Sequence, residues 1–177
     1  IIVMKNIKYI FLSSLVIFIM MFPIHFIYDV LNFDIIGMFF PTNESIFQHM
    51  KMVFTTFFIY YVIVYIIRRR LEFNNIFLTN LISVATTIIF FLLIYIPTYF
   101  RFGENMIFTF ILLFISICVG QAISYNFLKK DNNKSINVLS IIVIVITFII
   151  GIYFTFNPME NTIFWDPHHE TYQRVIK

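Results

Sequence analysis

Charged positions divide this chain into long apolar runs. Twenty uncharged residues lie between Lys8 and Asp29, 28 between Glu72 and Arg101, 24 between Glu104 and Lys129, and 25 between Lys134 and Glu160. A fifth run, 16 residues from Met52 to Ile67, lengthens to about 22 if its helix begins at Ile46. A helix needs about 20 apolar residues to cross the hydrocarbon core of a bilayer. The runs are too evenly apolar for the alternating strands of a barrel. The pattern therefore predicts an all-α, single-domain membrane bundle over residues 1–177. Its five transmembrane helices fall at about 9–28, 46–67, 76–97, 106–128 and 136–157, with a polar tail at 158–177. No internal repeat is evident.

Composition strengthens this reading. The chain is 60% hydrophobic and 12% charged, more apolar surface than a soluble domain of 177 residues could bury. The expected surroundings are a lipid bilayer; the abundance of Phe, Ile and Asn suggests an AT-rich bacterial genome, and the bacterial cytoplasmic membrane is the expected location. A net charge of +3 is too small to indicate nucleic acid. The single cysteine, Cys118, excludes an internal disulfide and a multi-cysteine zinc site, and reads as a small apolar residue within a span. The first span is longer than a signal-peptide core and is expected to remain as an anchor. Met4-Lys5-Asn6 has the form of a translation start.

Orientation follows from the basic residues. With the N-terminus in the cytoplasm, Lys5, Lys8, Arg68, Arg69, Arg70, Lys129, Lys130 and Lys134 lie inside, against Lys51, Arg101, Arg174 and Lys177 outside. Of the acids, only Glu72 and Asp131 lie inside, so the sides balance at +6 and −3. The expected topology is N-in, C-out.

That topology gathers the unusual polar residues on the outer face. His25, Tyr28 and Asp29 close the first span, and "PTNESIFQHMK" opens the second from the same side. Glu104 lies in the next outer turn, and "DPHHETY" follows the fifth span. His25 and His49 each sit one helical turn below the surface, about 6 Å deep, on antiparallel neighbours that could face one another. Helix capping accounts for Asn43, Ser45 and Gln48, and Lys51 is expected to snorkel to the headgroups. It does not account for two imidazoles within lipid, since ionisable groups there normally face protein or water and serve a function. His168 and His169 read as residues of a solvated Asp-Pro turn. Apart from Gly120, Gln121 and Ser124, the span interiors promise few polar groups at mid-depth.

The combination of His25-Phe-x-Tyr28, Asn43-Glu44-Ser45-x-x-x-His49-x-Lys51 and Asp166-Pro167-x-x-x-x-Tyr172 resembles an uncharacterised, domain-of-unknown-function family of small bacterial multi-pass membrane proteins. The resemblance implies membrane location and these positions as a shared site. It implies no reaction.

The candidate chemistry is metal binding. Imidazoles of His25 and His49 with a carboxylate such as Asp166 suit zinc or another divalent ion, and Glu44 with His49 would be the catalytic pair. Tyr28, Asp29, Asn43, Ser45, Lys51 and Tyr172 complete the polar cluster. The leading expectation is an integral membrane protein of unknown activity with this outer-face site, open to a lipid or small-molecule ligand. One alternative is a membrane-embedded metal-dependent hydrolase of lipid or lipid-linked substrates. Another is a small transporter or a subunit of a membrane complex. The topology has a direct test. A reporter active only outside the cytoplasm should work when fused to the C-terminus and fail when fused after Arg70, whereas the opposite pattern would reverse the orientation.

Overall fold

A computed structural model describes residues 2–67, 75–128, 130, 131 and 133–174. Arg68, Arg69, Arg70, Glu72, Lys129 and Lys177, on which much of the orientation argument rests, lie outside the described residues. The chain is all-helical. Helix α1 spans Ile2–Leu31, α2 Asp34–Phe39, α3 Ile46–Ile67, α4 Ile76–Phe102, α5 Met106–Leu128 and α6 Lys134–Phe156. Five of these are long and apolar enough to cross a membrane, at Ile7–Leu31, Ile46–Ile67, Ile76–Phe102, Met106–Leu128 and Lys134–Phe156. The protein is therefore a multi-pass membrane bundle.

Several boundaries differ from expectation for identifiable reasons. Helix α1 runs past Asp29 and stops where Asn32 turns left-handed, φ 44°. Helix α4 continues through Pro97 to Phe102; the Thr98 hydroxyl donates to the Ile94 and Tyr95 carbonyls around the proline, both at 2.8 Å. Gly103, at φ 75°, then ends the helix and returns its N–H to the Tyr99 carbonyl. Helix α2 was not expected, because six residues are too few to show a period. It packs so closely that a Cβ at Gly37 would lie 3.0 Å from both Tyr28 and Thr42.

Lys51 does not snorkel. It is 7% exposed and donates to the Gly37 carbonyl at 2.9 Å and the Thr155 hydroxyl at 2.8 Å. The C-terminal carbonyls of α2 need donors that the helix itself cannot supply. The ammonium meets that need and clasps α2, α3 and α6 together.

The bundle interior is more polar than the sequence promised. Gln121 accepts from Ser13 at 3.1 Å and Tyr61 at 3.3 Å, and donates to Ser83 at 2.9 Å, joining α1, α3, α4 and α5. Buried Thr79, Asn80, Thr87 and Ser116 lie on the same α4 and α5 helices. Gly120 lets α5 rest directly on the Ser83 carbonyl and Thr87 hydroxyl of α4. These residues are scattered in ones and twos along apolar runs, so only the packed helices reveal them as a network. One turn from it, Ile17, Phe57 and Ile117 are fully buried. Those three lie between the network and the far end of the bundle, where α1 finishes, α3 begins and the tail returns.

Candidate metal centre at the tail end of the bundle

The start of α3 is set by a short chain of caps. The Ser45 hydroxyl accepts the Gln48 N–H at 3.3 Å, and the Asn43 side-chain oxygen accepts the Ser45 N–H at 3.1 Å. The Asn43 amide donates onward to the Gln173 carbonyl at 2.9 Å, tying this loop to the tail. Capping thus explains Asn43 and Ser45, as their positions suggested. It also fixes Glu44, which lies between them.

The tail folds down on that loop. Phe164 stacks on Phe47 with ring centroids 4.5 Å apart and meets Phe154 at 5.5 Å, while the Phe47 N–H donates to the Ile163 carbonyl. Two residues later comes Asp166, with no exposure at all. Its Oδ2 accepts the Glu44 N–H at 3.0 Å and His169 Nδ1 at 2.9 Å; its Oδ1 accepts the N–H groups of His168 and His169 at 2.8 and 3.1 Å. Burial pushes the Asp166 carboxyl pKa up. The four donors outweigh burial and hold it below the usual carboxylate value.

With its backbone held by Asp166, Glu44 sends its side chain between two imidazoles. Glu44 Oε2 lies 3.4 Å from His25 Nε2 and 3.4 Å from His49 Nε2, and the two nitrogens are themselves 3.4 Å apart. His49 Nδ1 lies 2.9 Å from the Ser45 carbonyl, which can only accept, so Nδ1 carries the proton and Nε2 presents its lone pair. His25 Nδ1 is buried and has no hydrogen-bond partner among the described residues. The Glu44 pKa is lowered, first by its contact with His25 and then, against the cost of burial, by the field of His49. A carboxylate and two imidazoles converging in this way make the group that could hold a metal ion.

The triad lines one wall of a cavity of about 710 Å³ enclosed by α1, α3, α4, α5 and the tail. Glu104, His168 and His169 also line it. The structure therefore brings His25, Glu44 and His49 together and gives Asp166 a different task, supporting Glu44 from behind. Tyr28 packs under α2, Asp29 is exposed outside the triad, and Tyr172 lies against Trp165, ring centroids 4.9 Å apart. His169 is more engaged than a solvated turn residue. The spacing of three from Asp166 carried that signal, because an aspartate opening a turn can accept from both the backbone and the side chain three residues on.

The model of DUF6512, a family of unknown function, matches residues 1–173. The chain belongs to that family. No curated protein and no solved structure matches it. The DUF6512 match includes the triad, Asp166 and His169, and supplies no activity for them.

The role given to Asp166 predicts the behaviour of Asp166→Asn. An amide offers one acceptor oxygen where the carboxylate uses two, so at least one of the part-buried N–H donors loses its partner, at about 0.5–1.5 kcal/mol. The variant should melt at lower temperature and its tail should be cut faster by protease. Because the folded carboxyl pKa is depressed, its contribution is complete above the unfolded carboxylate pKa and disappears as pH falls through the folded one. The gap between wild type and variant should accordingly close in acid. Equal melting at neutral pH would contradict this assignment.

Proposed function

We propose that His25, Glu44 and His49 bind one divalent metal ion of the zinc type, with a fourth coordination position open to the cavity. The observation that carries this reading is the triangle of three 3.4 Å edges. Ligands at 2.0–2.1 Å around tetrahedral zinc stand about 3.3–3.4 Å from one another, so the three donors match one face of that tetrahedron. Two imidazoles and a carboxylate leaving a position for water form the ligand pattern of hydrolytic rather than structural zinc sites. The His49 tautomer set by Ser45 supports the same reading.

The reaction class that fits is hydrolysis of an ester or amide in an amphiphilic substrate. Bound metal would lower the pKa of its water toward 7 and polarise the carbonyl. Glu44, spent as a ligand, is not the base; His169 suits that role. Asp166 Oδ2 bonds both the Glu44 N–H and His169 Nδ1, which keeps those two nitrogens within about 6 Å of each other. The aspartate holds the ring so that Nε2 is free to take a proton. As the water oxygen bonds to the acyl carbon, His169 accepts its proton and passes it to the leaving oxygen or nitrogen when the old bond breaks. The products are a carboxylate and an alcohol or amine.

A transporter is the less supported alternative, because Ile17, Phe57 and Ile117, on three helices beneath the cavity lining, are fully buried. The basic-residue bias supports placing the site at the outer face of a bacterial cytoplasmic membrane. The competing account is a metal-free polar clasp among the same three side chains. Metal content per chain after chelator-free purification separates them. We expect about one zinc per chain, lost in His25→Gln and His49→Gln, with added zinc raising the melting temperature of the wild type alone. A metal-free wild type whose melting ignores zinc would leave only the clasp.

A further inference from the structure

We infer that the cavity is a binding site for the single apolar chain of an amphiphile drawn from the surrounding bilayer, seated with its polar head at the triad. The inference rests on the metal-site reading only for what the head does. Its own basis is the gradient of polarity down the cavity wall. The rim carries His25, Glu44, His49, Glu104, His168 and His169. Deeper, the wall is formed by Phe18, Met21, Val53, Phe91, Phe110 and Leu113. Phe18 lies seven residues before His25, so the apolar part reaches about 10 Å below the head position. One turn deeper than Val53 and Leu113, Phe57 and Ile117 are fully buried. A volume of about 710 Å³ lies within the range that holds a drug-sized ligand.

A small polar substrate would leave that apolar lining unused. A chain fills it.

The route of entry is also visible. On the side between α1 and α5, several residues that line the cavity are substantially exposed. Phe22 is 43% exposed, Phe26 54%, Met106 65% and Phe110 42%. Here α1 and α5 meet through aromatic side chains, with the Phe22 and Phe110 rings 5.9 Å apart. Rotation of these rings, rather than movement of a helix, would admit a chain sideways from lipid. Moving a chain from lipid into this cavity exchanges one apolar surface for another and gains little. The chain therefore brings the head to the site, and the head determines which amphiphile stays.

The protein contains one tryptophan, Trp165, and it lines this cavity, so it reports occupancy directly. The probe is a brominated single-chain fatty acid added to the wild-type protein in lipid vesicles, with quenching of Trp165 fluorescence as the readout. We expect a component that saturates at low probe content, above the gradual quenching caused by probe dispersed in the bilayer. Thr109→Phe, which fills the cavity from a half-buried position on α5, should abolish that component and retain bound metal. Leu113→Phe is the second obstruction, should the first not fold. Quenching that only grows in proportion to probe, and is equal in both variants, would mean contact with surrounding lipid and would overturn the inference. Saturable quenching without any metal in the wild type would leave the chain site standing while removing the metal. Metal without saturable quenching would do the reverse.

Discussion

The arrangement depends on one carboxylate that water cannot reach. Asp166 accepts four hydrogen bonds from three residues, and one of them, from the Glu44 N–H, spans 122 positions of sequence. An ionised group is costly to bury unless each oxygen is satisfied, so the tail has a strong reason to adopt the turn that supplies those donors. The turn fixes the loop before α3, the loop aims Glu44, and Glu44 meets both imidazoles. His25 and His49 are separately positioned by their helices. The tail completes the triad without contributing a ligand.

Around this site the bundle is layered by polarity. A hydrogen-bonded network centred on Gln121 joins four helices in the half of the bundle nearer the start of α1, an apolar layer at Ile17, Phe57 and Ile117 follows, and the cavity opens above it. In lipid, helices gain little from burying apolar surface against one another, so close approach and interhelical hydrogen bonds must hold them. Gly120 against Ser83 and Thr87 provides the first, and Gln121 the second. Rigid packing there lets the other end keep a cavity.

The five spans were legible because lipid imposes a length and forbids charge, and both constraints appear directly in sequence. The pairing of His25 with His49 was legible for a related reason: equal depth on antiparallel neighbours leaves few alternatives. Lys51 was misread, because its preference for the headgroups was judged without the orphan carbonyls of α2, a helix too short to announce itself. The polar network was missed because Ser13, Tyr61 and Ser83 are each unremarkable in their own runs. The support given by Asp166 could not be read either, since a hydrogen bond to the backbone of Glu44 leaves no mark on residue type. For Lys51 and Asp166 the missing information was which distant backbone groups lacked a partner, and for the network it was which side chains the packed helices bring together.

His25, Glu44 and His49 are proposed to surround one metal ion. X-ray absorption at the metal edge of zinc-loaded protein measures that shell directly. Zinc in the wild type should have four nitrogen or oxygen donors at about 2.0–2.1 Å, two of them imidazole. A shell of six oxygens, or one with fewer than two imidazoles, would contradict that assignment.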